Sequence, residues 1–131
     1  MPVFEFAGQR FNNPVELSLH LIGGKWKMPI LWHLRERAWR YNELRRDLST
    51  VNHKMLTQQL RELERAGLIT RTVYPVVPPH VEYALTALGE TAIPCVDVLR
   101  SWGASYRSAV ASTTTSDASH VELHEPANES R

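Results

Sequence analysis

The apolar residues of this chain recur mostly at steps of three and four, the spacing that gathers them on one face of a helix. The clearest case is NHKMLTQQLRELERAGLITR, from Asn52 to Arg71. Leu56, Leu60 and Leu63 form one stripe there, and Lys54, Gln58, Arg61 and Arg65 form another, with Thr57 at its edge. Asn52 predicts the N-cap, because its side-chain oxygen can accept from the free N–H groups of the first turn. Gly67 predicts the stop, since the residue just past a helix commonly needs positive φ. Strand formers then occupy residues 68–74 and 80–85 on either side of Pro75-Val76-Val77-Pro78-Pro79. That pattern predicts a two-stranded ribbon with a stiff tip.

Upstream, Asn13-Pro14-Val15-Glu16 predicts a helix start. Asn13 is the cap, Pro14 suits the first position, and Glu16 holds the reciprocal capping position. Leu17, Leu21 and Ile22 form the apolar side, and Gly23-Gly24 ends the helix. A second helix is expected over residues 25–35, with Trp26, Ile30, Leu31 and Leu34 inward. Pro29 falls in its first turns, where a missing N–H costs little. Trp39, Arg40 and Tyr41 read as an extended link, and Asn42 as the cap of a third helix to about Leu48. Leu44 and Leu48 would face inward, Arg45 and Arg46 outward. Ser49-Thr50-Val51 then turns into the Asn52 helix, and the pair makes a helix-turn-helix.

Thr86 is expected to cap one long last helix, to about Val110. Leu88, Ala92, Cys95, Leu99, Trp102 and Tyr106 stripe it, and Ile93 and Val96 widen the stripe. That is more apolar surface than a small domain needs, and a second subunit is its simplest cover. Residues 1–12 show no period, yet Val3, Phe4, Phe6 and Phe11 are too apolar for a solvated arm. Residues 111–131 are polar and lack aromatics, and are expected to be a disordered tail. Residues 1–110 would then form one domain.

Net charge changes this picture. The whole chain of 131 residues carries a formal +1, but residues 25–71 hold eleven Lys or Arg against five Asp or Glu. The region of the helix-turn-helix thus has a positive field suited to a polyanion. Residues 111–131 hold four acids against one base. The start, MPVFEFAGQR, lacks the basic and apolar runs of a signal peptide. No apolar run approaches the roughly 18 residues of a membrane span. With a single cysteine, Cys95, no internal disulfide can form. A cytoplasmic, nucleoid-associated protein without membrane contact is expected.

Candidate catalytic chemistry is thin. There is no Gly-rich phosphate loop and no GxSxG, HExxH or CxxC run. His120 and His124 are four apart but lie in the tail, and the other histidines, His20, His33, His53 and His80, lack ligand spacing. Cys95, on the apolar stripe, reads as a small inert hydrophobe. Glu43, Glu62 and Glu64 read as ordinary partners of neighbouring bases on their own helices. No enzyme, metal or cofactor is expected.

The runs IGGKWKMPILWHL, YNELRRDL, KMLTQQLRELERAGLITRTVYPVVPPHVEYALTALG and SWG strongly resemble the HxlR-type winged-helix transcriptional regulators of bacteria. The resemblance covers about Asn13 to Gly103, and the VYPVVPPHVEY ribbon is its most diagnostic part. It implies a mostly α, dimeric winged helix-turn-helix with a small β-ribbon, an extra N-terminal helix and a long C-terminal helix. The terminal helices would form the dimer interface, so Phe6, Phe11, Leu17, Leu21, Val96, Leu99, Trp102 and Tyr106 are the candidate dimerisation residues. In sensing members a reactive cysteine directly precedes the Pro-Val that opens the first helix; here that position is Asn13.

The expected function is therefore sequence-specific binding of double-stranded DNA by a homodimer on a pseudo-palindromic operator. The recognition helix would lie in the major groove, and the wing on the flanking backbone or minor groove. Lys54, Thr57, Gln58 and Arg61 are candidates for base edges. Arg45, Arg46 and Arg71 are candidates for phosphates, and Asn52 and His53 at the helix start join the DNA-facing set. A winged helix that binds protein instead of DNA is the alternative; the basic excess and the amide-rich face weigh against it. The apolar arm and last helix could border a pocket for a small aromatic effector, although no polar constellation defines one.

Overall fold

The computed structural model describes residues 3–117, with side chains to residue 112. The described residues divide into two compact units, one ending at Ile93 and the other beginning at Pro94. The first unit opens with a hairpin that the period did not reveal. β1 (Phe4–Phe6) and β2 (Gln9–Phe11) pair antiparallel, Phe4 opposite Phe11. Ala7 and Gly8, both at positive φ (50° and 79°), turn the chain between them. Phe11 is buried, with its ring 5.8 Å from Phe4 and 5.4 Å from His20. Phe11 thus packs inside its own chain and is withdrawn from the dimerisation set.

α1 (Pro14–Ile22) starts as its sequence predicts, with Asn13 Oδ1 accepting from Glu16 N at 3.0 Å. The Glu16 carboxylate reaches one residue further than expected, accepting from Asn12 N at 2.9 Å. Ile22 is buried, Leu17 and Leu21 are half-buried, and Val15 and Leu19 are exposed. α2 (Lys27–Leu34) begins two residues later than predicted, with half-buried Trp26 at its N-cap. Ile30, Leu31 and Leu34 are buried, as expected. Lys27 is buried too, and its Nζ meets Glu62 Oε1 at 2.8 Å. Glu62 therefore pairs across to α2, rather than only with bases on its own helix.

β3 (Trp39–Arg40) pairs with the second ribbon strand, so the sheet has three strands instead of two. α3 (Tyr41–Asp47) is capped at Arg40 and not at Asn42. Glu43 decides this, since its carboxylate accepts from Arg40 N at 2.9 Å and fixes the first turn there. α4 (His53–Arg65) is capped by Asn52, whose Oδ1 accepts from Met55 N at 2.7 Å, and ends before Gly67 at φ +78°. β4 (Ile69–Tyr74) and β5 (His80–Leu85) form the ribbon, Ile69 opposite Leu85 and Tyr74 opposite His80. Ile30, Leu31, Leu44, Leu56, Leu60, Leu63 and Ile69 make the driest part of the core, drawn from α2, α3, α4 and the sheet.

The last helix is two helices. Thr86 caps only α5 (Ala87–Glu90), and α6 (Ile93–Asp117) follows after Thr91-Ala92. Pro94 explains the break: it has no N–H to continue the bonding ladder and its ring would collide with the carbonyl four residues back. α6 passes the expected end at Val110 and takes in residues 111–117, which the composition predicts to be disordered. No Pro or Gly lies there, and Ser and Thr each cost a helix well under about 1 kcal/mol. Residues 118–131, the rest of the expected tail, lie outside the described residues. Cys95 is exposed rather than shielded. Val96 is buried; one position from Cys95, it is turned by about 100° out of the stripe. It too leaves the dimerisation set.

Thr86 also closes the ribbon. Its Oγ1 donates to the Gly67 carbonyl at 2.6 Å and accepts from Gly89 N at 2.9 Å. Gly89 sits so close to the ribbon base that a Cβ there would lie 2.0 Å from the Leu68 carbonyl oxygen. Gly89→Ala should therefore destabilise the fold by about 1–3 kcal/mol, the usual cost of forcing extra volume into packed backbone. Urea unfolding of the variant against the wild-type chain measures it.

Candidate nucleic-acid interface

Burial of Leu56, Leu60 and Leu63 decides what α4 shows to solvent. Lys54, Gln58, Arg61 and Arg65 line a shallow groove of about 450 Å³ along the helix, together with His53 and Thr57. Beside it lies a wider cleft of about 940 Å³ between α3, α4 and the ribbon. Arg46 comes to this cleft from α3, His53, Thr57 and Arg61 from α4, and Arg71 from β4, with Pro78 and Pro79 of the ribbon tip at its rim. His53, Thr57 and Arg61 belong to both surfaces, so Arg61 stands where the groove face meets the cleft. The structure thus brings the predicted DNA-facing residues together on these two surfaces, with two exceptions. Arg45 is exposed but lines neither. Asn52 is exposed at the helix start, but its Oδ1 is committed to the cap, which leaves its amide N–H groups as donors for another partner.

Several residues of the site carry no local signal in the sequence. Tyr41, at the start of α3, hydrogen-bonds through its hydroxyl to His53 Nδ1, and the two rings meet edge to face at 5.4 Å. This contact fastens the first helix of the helix-turn-helix to the start of the second. Tyr83, on β5, lines the cleft floor. Burial pushes its hydroxyl pKa up, while hydrogen bonding from Arg71 opposes the rise. Glu64 also lines the cleft, an acid among arginines. Glu43 is there as well, its carboxyl held below the ordinary range by the Arg40 backbone N–H and then by Arg37, 3.2 Å away. Contacts spanning elements, not sequence neighbours, create most of these.

Apart from Glu43 and Glu64, the charged groups on this surface are cations, set beside hydrogen-bond donors such as Thr57 and Gln58, the chemistry that takes phosphates and base edges. Among the described residues, no group of three His, Cys, Asp or Glu side chains could hold a metal ion, and no helix is long and apolar enough to cross a membrane. Neither of these two cavities is lined by the N-terminal arm or the last helix, the two segments that the sequence offers as borders of an effector pocket.

Residues 21–111 match the model of the HxlR-like helix-turn-helix family. The chain is 49% identical over 94 residues to YdeP of Bacillus subtilis, described as an HTH-type transcriptional regulator, a match covering 72% of this chain and 73% of that one. It is 48% identical over 94 residues to an HTH-type transcriptional regulator of Methanothermobacter thermautotrophicus, with 72% of each covered. Among solved structures it resembles the redox regulator HypR in its reduced form, with a TM-score of 0.72 at 46% identity over 76% of this chain and 99% of that one. It also resembles the reduced transcriptional regulator YodB of B. subtilis, with a TM-score of 0.61 at 28% identity over 70% of this chain and 91% of that one. These relatives are named as regulators, none as an enzyme.

Glu62 anchors α4 to α2, and its pKa is lowered chiefly by the hydrogen bond from Lys27. A carboxyl with a depressed folded-state pKa contributes stability that is complete above its unfolded value and lost as pH falls through the folded one. Glu62→Gln should therefore flatten the loss of stability on acidification below about pH 4.5, the ordinary value. Thermal unfolding of both proteins across that range is the measurement.

Proposed function

Because the chain belongs to the HxlR-like helix-turn-helix family and is a DNA-binding transcriptional regulator, we propose that α4 enters the major groove with Lys54, Thr57, Gln58 and Arg61 toward the base edges. The observation that carries this reading is the Lys54–Gln58–Arg61–Arg65 face, opposite a stripe that is wholly buried. Arg46 and Arg71 flank α4 across the cleft, and the proposal gives them the phosphates on either side of the groove. Arg45 and Asn52 lie at the edge of that footprint, and His53 lines both the groove and the cleft. The ribbon tip, where Val77 is almost fully exposed, rests on the flanking backbone or minor groove.

The proposal includes a homodimer on a pseudo-palindromic operator, with residues 1–110 as the functional domain. Its support is the apolar surface of α6 and of α1. Trp102 and Tyr106 stack on each other at 5.6 Å yet remain 65% and 59% exposed, and Leu99 is exposed on the same helix. Phe6, exposed, and Leu17 and Leu21, half-buried, complete the retained dimerisation set, and Val15 and Leu19 join it as exposed apolar residues of α1. Asn13, which stands at the expected thiol position, is occupied in capping α1. We therefore propose that this chain does not signal through a thiol there.

Two experiments test the reading. Arg61→Ala should lower the ratio of specific to non-specific affinity by about tenfold, because a good two-bond base contact is worth about 1–3 kcal/mol of discrimination. Arg46→Ala should weaken both affinities alike and reduce the slope of log K against log salt by about 1 for each phosphate it no longer neutralises. Titrations against a selected duplex and a random one over a range of salt separate the two roles. An unchanged ratio in Arg61→Ala sinks the assignment.

For the dimer, Leu99→Glu/Trp102→Glu should sediment as a monomer, since each large side chain buried at the interface contributes roughly 1.5–3 kcal/mol. A variant that stays dimeric places the interface elsewhere.

A further inference from the structure

We infer that Lys27 and Glu62 set the base preference of the recognition helix by dictating which edge of the Gln58 amide faces outward. The inference rests on the proposed role of Gln58 as a base contact. Gln58 Nε2 donates to Glu62 Oε2 at 3.2 Å, and the other carboxylate oxygen, Oε1, takes Lys27 Nζ at 2.8 Å. Lys27 comes from α2, with a side chain only 9% exposed. The three residues form a chain that runs from a buried ammonium to an exposed amide.

Hydrogen-bond chemistry gives this chain a direction. An ammonium only donates and an ionised carboxylate only accepts. The Lys27 hydrogen bond favours the ionised form of Glu62. The Gln58 group that turns to Glu62 must therefore be its NH₂, although a free glutamine amide could turn either way. One N–H and the carbonyl Oε1 of Gln58 remain for a partner. A donor beside an acceptor is the complement of adenine in the major groove, where N6–H₂ donates and N7 accepts.

The same logic predicts the effect of reversing the link. In Glu62→Gln, Lys27 still needs an acceptor and takes the new amide's oxygen. The NH₂ of residue 62 then points at Gln58, which must turn its own oxygen inward to accept. Gln58 now shows two N–H donors, the complement of guanine, whose O6 and N7 both accept. Removing the negative charge raises affinity for all DNA alike, so it does not imitate a change of base preference.

The test uses the full chain and duplexes that it selects from a library with a randomised core. The preferred duplex and its single-base-pair replacements are then titrated with each variant. Gln58→Ala should relax one position per half-site, and that position should carry adenine in the wild-type site. Glu62→Gln should shift the adenine-to-guanine preference at that position toward guanine by about tenfold. Lys27→Met/Glu62→Gln, which frees the amide of residue 62 to turn either way, should bind the two about equally. It also carries the test if Glu62→Gln alone does not fold. Adenine preference retained in the variants, or a Gln58 position without adenine, overturns the inference. If Gln58→Ala relaxes no position, the base-contact role of Gln58 has failed, a distinct result that takes the inference with it.

Discussion

Everything at the proposed DNA-facing surface depends on three leucines having nowhere else to go. Leu56 and Leu63 are wholly buried and Leu60 is 1% exposed, packed in a core shared with Leu31, Leu44 and Ile69. An amphipathic helix fixed along one stripe has no rotational freedom, so the residues opposite the stripe are presented in one orientation. A rotation of α4 large enough to hide Gln58 or Arg61 would expose leucines worth roughly 1.5–3 kcal/mol each. The core thus acts as the aiming device for the polar face.

Around this helix some cations are already engaged within the chain. Lys27 is buried against Glu62, and Arg37 lies over the Trp39 ring at 3.9 Å while pairing with Glu43. The basic excess over residues 25–71 therefore overstates the charge available to a ligand. Lys27 in particular supplies no outward field. The usable charge is concentrated at Lys54, Arg61 and Arg65 on α4 and at Arg46 and Arg71 across the cleft.

The parts of the fold that local rules control were legible in the sequence. Asn13 and Asn52 cap their helices, Gly67 takes positive φ, and both ribbon strands end within a residue of their expected limits. Each outcome is settled within a few residues along the chain. The failures mostly share the opposite property. The first hairpin turns on Ala7, which gives none of the signal that Asn or Asp before Gly would. Arg40 displaced Asn42 as cap because Glu43 reached a backbone N–H that composition does not mark. The Lys27–Glu62 pair joins residues from separate helices, and no periodicity shows such a bond. The break before α6 is marked in the sequence by Pro94, which lies inside an otherwise continuous apolar stripe. At the site, the polar face of α4 could be read directly, whereas Tyr41, Tyr83 and Glu64 enter only because the ribbon folds back beside α3 and α4.

The closure at Thr86 has a consequence for how such a chain can diverge. The ribbon leaves the core beside Gly67 and returns to the same spot, where one threonine hydroxyl ties the two ends together. The ribbon is therefore fastened at its base, and the tip, residues 75–79, lies beyond that closure. Insertions, deletions or changes of charge at the tip leave the tilt of α4 untouched, while changes on the polar face of α4 leave the ribbon's path untouched. A lineage built on this frame can alter the ribbon tip and the polar face of α4 in separate steps, each tested by selection without undoing the other.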